Sequence, residues 1–204
     1  MVEAVVSWLV VILIWFASIL LLTSRDWRVQ LAVLAFHYLA AFWLITRHLP
    51  FAMASAKLVA GWMVVASLGM TRISLIQIEE QGSLRAQDRF FPLTLAGVVA
   101  VVTAGASPRI EAIIPGIGLP VIAGSLLLVG TGLMQLGITS NILRIILGLL
   151  SMLMGFEIVY SAVESSILVA GLLALTNLAL GLVGSYLLMA EAAPSSEFEE
   201  DLLT

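Results

Sequence analysis

The chain has no cysteine and only two histidines. The absence of thiols excludes disulfides, thiolate metal sites and iron–sulfur ligation, and it leaves the redox compartment open. Charge is scarce as well. Asp, Glu, Lys and Arg make up 11% of the 204 residues, about half the share of a soluble domain. No basic stripe marks a nucleic-acid partner. A Lys/Arg-rich start and a small-residue cleavage site are both missing, so the first apolar run reads as a retained anchor. Apolar surface takes the place of charge: 61% of residues are hydrophobic and the mean hydropathy is +1.13. That is the composition of a chain whose solvent is lipid. The net charge of −4 misleads, because Glu191, Glu197, Glu199, Glu200 and Asp201 all fall in the last fourteen residues.

A bilayer core of about 30 Å needs roughly 20 apolar residues per helix. Seven segments qualify: 4–23, 29–46, 50–70, 91–107, 114–136, 142–163 and 167–189. The expectation is an all-α, polytopic integral membrane protein with about seven transmembrane helices. The fourth segment is the shortest, bracketed by Pro92 and Pro108, which leaves a re-entrant alternative open. The fifth opens on "IPGIGLP", where Pro120 is placed to kink the start of the helix. The loop 71–90 is too short to be a catalytic domain, and the tail 191–204 reads as an acidic, mobile segment able to dock on a partner. With the N-terminus outside, Arg25, Arg28, Arg72, Arg85, Arg89 and Arg144 fall in cytoplasmic loops, against Arg47 and Arg109 outside. The positive-inside rule then favours N-out, C-in. Trp8 and Trp43 fall near the outer interface and Trp27 near the inner one.

Polar groups at lipid depth need an explanation, since a central charge costs about 2.5–3.5 kcal/mol on insertion scales. Glu157 lies deep in the sixth segment. A carboxyl there can serve as a proton acceptor if water or a cation reaches it, or as a protonated link to a neighbouring helix. Glu164 follows seven residues later on nearly the same face, either as a solvated helix end or as a mouth for protons. His37 sits mid-span in the second segment and suits a relay, its ordinary pKa being about 6.5; a neutral imidazole bonded within the bundle is the bland alternative. Lys57 has a stem long enough to snorkel to the outer headgroups, the simpler expectation, or to pair within the bundle. Asn177, mid-span in the seventh segment, cannot titrate but can hold a water or orient a carboxyl. Ser151 with Gly155, and Gly181 with Ser185, form small-xxx-small faces for close helix packing, and Gly148 and Gly184 add to them.

The stretches "NILRIILGLLSMLMGFEI" and "LLALTNLALGLVGSYLL" resemble the small three-helix, NuoK-like membrane subunit of complex-I-type NADH:quinone oxidoreductases. They resemble more closely its longer relative, component E of hydrogenase-4-type and formate hydrogenlyase complexes; the corresponding small subunit of Mrp-type antiporters is a further relative. In that family an acid in the middle helix follows a Gly-X pair, as Glu157 follows "GF". Component-E-like sequences carry "NILR" at the start of the penultimate helix and "TD" in the last, against "NILR" and "TN" here. Two departures stand out. Counted from "NILR", the family's acid falls at Leu153, so Glu157 is one turn later on the same face, about 6 Å nearer the outside. The second acid is replaced by Asn177.

The resemblance implies three parts: N-terminal transmembrane helices over 1–110, a NuoK-like three-helix unit over 111–190, and an acidic cytoplasmic tail over 191–204. It implies a multi-pass subunit of a bacterial or archaeal plasma (inner) membrane, part of a respiratory-chain-like, ion-translocating complex. Its partners would be antiporter-like and quinone-site membrane subunits in the lipid bilayer. It would hold no cofactor, no metal and no catalytic site of its own. Glu157 would accept protons, His37 and Glu164 would relay them or form a mouth, Asn177 would orient water, and Arg144 would lie in the basic cytoplasmic loop. A purely structural scaffold subunit of a respiratory or photosynthetic complex, and a stand-alone transporter, are the competing readings.

Overall fold

The computed structural model describes residues 2–75, 90–164 and 166–192. Most of the loop after the third segment and nearly all of the acidic tail therefore lie outside the described residues. Within them the chain forms seven helices and no strand: α1 Val2–Thr23, α2 Trp27–Ile45, α3 Phe51–Leu75, α4 Phe90–Ile113, α5 Leu119–Ile138, α6 Ile142–Val163 and α7 Ile167–Ala192. Each is long and apolar enough to cross a membrane. The shortest, at 19 residues, is about 28 Å long at 1.5 Å per residue.

Local chemistry sets the helix ends. Asp26 caps α2 by accepting the Arg28 N–H at 2.9 Å. Asn141 caps α6 by accepting the Arg144 N–H at 3.3 Å. Both satisfy N–H groups that a helix start leaves orphaned. Three expectations need correction. The third span does not stop at 70, nor does the loop begin at 71, for α3 runs on to Leu75, with the Thr71 and Ser74 hydroxyls folded back onto carbonyls of the same helix. The fourth span does not stop at 107, for α4 continues through Pro108 to Ile113. A proline removes one intrahelical bond, its own to the carbonyl four residues back, without ending a helix when its neighbours still pair, and α4 is continuous on both sides of Pro108. The fifth span does not begin at 114. Residues 114–118 form a turn in which Gly116 and Gly118 adopt φ of 99° and 92°, a region that disfavours side chains. The Glu111 carboxylate accepts the N–H of Gly118 at 3.0 Å and, at 3.4 Å, that of Gly116. Pro120 falls in the first turn of α5, where the missing N–H costs nothing.

The helices stack in two layers. One holds α1, α2 and α3; the other holds α4, α5, α6 and α7. The layers meet where α1 lies over α4 and α5, α2 over α5 and α6, and α3 along α7. The α7 helix packs more extensively along α3 than along α6. Helices α2, α5 and α6 form the centre, with Leu34, Ile122, Leu128, Leu147, Leu150 and Ile158 fully enclosed.

The α5–α6 seam is the most extensive contact in the bundle, and glycine makes it possible. A Cβ on Gly132 would lie 2.6 Å from the Gly148 carbonyl oxygen, and one on Gly155 would lie 2.7 Å from the Ser125 carbonyl oxygen. The Ser125 hydroxyl donates to the Gly155 carbonyl at 2.6 Å, so backbone touches backbone and a polar link closes the gap. Elsewhere Gly181 accepts Val64 of α3 and Gly184 accepts Ile146 of α6. The Ser185 hydroxyl meets that of Ser67 at 3.0 Å, and Ser151 is fully enclosed.

Replacing Gly132 or Gly155 by alanine should therefore lower Tm in detergent by about 5 °C, from overpacking against backbone atoms that cannot step aside. Gly171→Ala, where no atom lies within 4 Å, should leave Tm unchanged or slightly raised. Equal melting of all three variants would show that the seam tolerates a methyl group.

Candidate functional site

Lys57 and Glu157 meet inside the bundle. Lys57 stands six residues into α3, and Glu157 stands six residues before the end of α6. At 1.5 Å per residue both lie about 9 Å from the same end of the bundle. Their side chains are 7% and 3% exposed, and Lys57 Nζ lies 3.4 Å from Glu157 Oε2. The sequence favoured a lysine snorkelling to the headgroups; instead its ammonium turns inward to the carboxylate. The physical reason is the partner. In a low-dielectric interior two opposite charges attract strongly, whereas burying either alone costs several kcal/mol.

The pair is not closed on itself. At 3.4 Å it is longer than a tight charge-assisted hydrogen bond of about 2.8 Å, and Glu157 Oε1 has no hydrogen-bond partner among the described residues. Beside it a narrow cleft opens between α2, α3 and α6, lined by Tyr38, Ala41, Phe42, Ala54, Lys57, Met154 and Glu157. The volume open to a water's centre is about 10 Å³, close to the minimum for a single water.

A second polar contact lies one turn deeper. Asn177, ten residues into α7, accepts the Tyr38 hydroxyl at 2.7 Å through Oδ1. Tyr38 is 4% exposed and Asn177 2%. The phenol ring fits because Gly61 of α3 has no side chain; a Cβ there would overlap the ring. Sequence reasoning singled out His37 and passed over its neighbour Tyr38. The available signal was chemical: a phenol in mid-span must find an acceptor. Further along the α3–α7 interface come Val64 against Gly181, then the Ser67–Ser185 pair.

The structure does not bring His37 or Glu164 to this site. His37 is fully enclosed, with Nε2 3.5 Å from Ser18 Oγ of α1 and Nδ1 without a partner among the described residues. It shares a helical face with Leu44, which packs toward Gly124 of α5, away from the cleft. Glu164 is the exposed C-cap of α6, its N–H donating to the Tyr160 carbonyl at 2.9 Å. Arg144 is half-buried in the first turn of α6, where Nη2 donates to the Ser24 carbonyl. Trp8 and Trp43 are exposed on the bundle surface and Trp27 is partly covered. Among the described residues no group of three or more His, Asp or Glu is placed to hold a metal ion.

No family model, curated protein or solved structure matches the chain.

Lys57→Met should strand an uncompensated carboxyl and destabilise the fold by about 3 kcal/mol. Lys57→Met combined with Glu157→Met removes both charges and should restore most of that loss. Thermal melting of the purified variants reads both. A single Lys57→Met variant as stable as the parent would mean that the pair contributes nothing to the fold.

Proposed function

We propose that this chain is a multi-pass subunit in the membrane arm of an ion-translocating complex of the complex-I, hydrogenase-4 or Mrp type, in a bacterial or archaeal plasma membrane, oriented N-out and C-in. One observation carries the reading: a buried Lys57–Glu157 pair at lipid depth whose second carboxylate oxygen is unpartnered, among the described residues, beside a cleft. A proton arriving at Glu157 removes the charge that holds Lys57, and its departure restores that charge. The pair therefore converts proton occupancy into a change of electrostatic attraction between α3 and α6, the two helices that carry it. The resemblance of the α6 and α7 sequences to NuoK-like and component-E-like subunits supports the same class. Electron chemistry belongs to the partner chains.

The route favoured within this chain is lateral. A path straight across the bundle along α3 and α7 is interrupted where Val64 fills the notch at Gly181. The cleft instead offers Glu157 an exchange with a neighbouring subunit. One observation favours the scaffold reading as second: Asn177, standing where the resembled family carries an acid, is occupied as the acceptor for Tyr38. A stand-alone transporter ranks last, because paired broken helices are expected there and the seven helices described are each continuous.

Purified from native membranes in mild detergent, the chain should travel with larger antiporter-like subunits. Glu157→Gln should leave that assembly intact and reduce ion translocation in vesicles by about tenfold or more. Unchanged translocation with intact assembly would leave the scaffold reading, and a chain that elutes alone and folded would leave the transporter. Because the protein has no cysteine of its own, single cysteines report orientation directly. Ser74→Cys should react with an impermeant thiol reagent only from the cytoplasmic side, and Ser55→Cys only from outside. The reverse pattern would overturn N-out, C-in.

A further inference from the structure

Among the described residues that line the cleft beside Glu157, only Tyr38, Lys57 and Glu157 itself have polar side chains, and the rest are apolar. Lys57 Nζ stands 3.4 Å from one carboxylate oxygen, Oε2. The other, Oε1, has no hydrogen-bond partner among the described residues. The Tyr38 hydroxyl commits its hydrogen to Asn177 Oδ1 at 2.7 Å, which leaves only oxygen lone pairs to offer a guest. The cleft has room for about one water. The ammonium of Lys57 thus occupies the place beside Glu157 that a bound cation would take.

We infer that Lys57 determines which ion this site takes: as a tethered cation seated on Glu157, it admits a proton and excludes Na⁺ and other metal cations. Repulsion from the ammonium opposes any arriving cation. For unit charges about 4 Å apart at an effective dielectric constant of about 20, it lowers affinity by about a thousandfold. A proton overcomes that repulsion because it forms a covalent O–H bond, and an ordinary carboxyl binds it with an affinity of about 10⁴ M⁻¹. A metal cation has coordination alone to replace its hydration shell, and needs several oxygens at once. With Oε2 taken by Lys57, the lining side chains offer it Glu157 Oε1 and the Tyr38 oxygen, in a space for a single water. The inference deepens the proposed function and rests on the reading of Glu157 as a proton acceptor.

The test melts the purified full-length protein in sodium chloride and in choline chloride of equal ionic strength, the choline cation being too large for the cleft. The parent should melt at the same temperature in both. Lys57→Ser removes the ammonium, opens space and adds a hydroxyl oxygen; its Tm should be higher in sodium chloride by about 4 °C. Lys57→Ser combined with Glu157→Gln should lose that difference. Lys57→Met replaces Lys57→Ser, with the same expectation, should the serine variant fail to melt cooperatively. A parent stabilised by sodium would overturn the inference, and so would a neutral Lys57 variant indifferent to sodium, which is the behaviour of a lysine that serves packing alone. The salt comparison involves no translocation. Unchanged translocation in Glu157→Gln would defeat the proposed function with the sodium difference still in place. Sodium indifference in the neutral variant would defeat the selectivity with the effect of Glu157→Gln on translocation still in place.

Discussion

Lys57 and Glu157 are one hundred residues apart in sequence and 3.4 Å apart in space. Each charge is costly at that depth without the other, since an unpaired ion in an apolar interior costs several kcal/mol. Their meeting therefore constrains how α3 and α6 sit on either side of α2. The same demand runs through the rest of the bundle. The Tyr38 phenol finds Asn177, Ser67 finds Ser185, and the Ser125 hydroxyl finds a carbonyl of α6. The Thr131 and Ser161 hydroxyls fold back onto carbonyls of their own helices, both at 2.7 Å. Lipid offers no hydrogen bonds, so each polar group acts as an address for a partner within the protein.

Those partners are reachable because the helices come close. Burying apolar surface gives little reason for helices to associate in lipid, so shape has to supply it. Along α5 and α6 the approach is close enough that Gly132, against the Gly148 carbonyl, and Gly155, against the Ser125 carbonyl, have no room for a methyl group. Gly61 does the same for the Tyr38 ring, and without that space the ring could not reach Asn177. Glycine placement and polar pairing are thus two halves of one device: close approach sets the distance, and the hydrogen bond or ion pair fixes the register.

The functional reading rests on an ion pair that is incompletely satisfied. Ser67–Ser185 and Tyr38–Asn177 are neutral contacts suited to holding helices together. Lys57–Glu157 is a long contact with a spare oxygen and a cleft at its side. A site built only for rigidity would gain from closing that contact. A site that exchanges a proton needs the slack, because the attraction must change when the carboxyl changes charge. On the proposed reading, the notch-filling contact of Val64 on Gly181 leaves the flank of the chain as the place of exchange.

The number of helices and most of their ends were legible in the sequence. Bilayer thickness imposes a local length, and caps such as Asn141 act within one turn, so the sixth span coincides with α6 to the residue at Ile142–Val163. The misses at α4 and α5 came from proline and glycine, whose effect depends on what else pairs nearby; the Glu111 carboxylate that holds the turn before α5 carries no local signature. The sequence also marked Glu157, Lys57, His37 and Asn177 as anomalies, because a polar residue in an apolar run is visible without any structure. Which anomaly meets which was decided only by tertiary packing. Lys57 paired inward, His37 turned to α1, and Tyr38 emerged as the partner of Asn177. A helix presents a polar residue by its own period, but the neighbour that answers it is chosen by the stacking of two layers, which no single segment encodes.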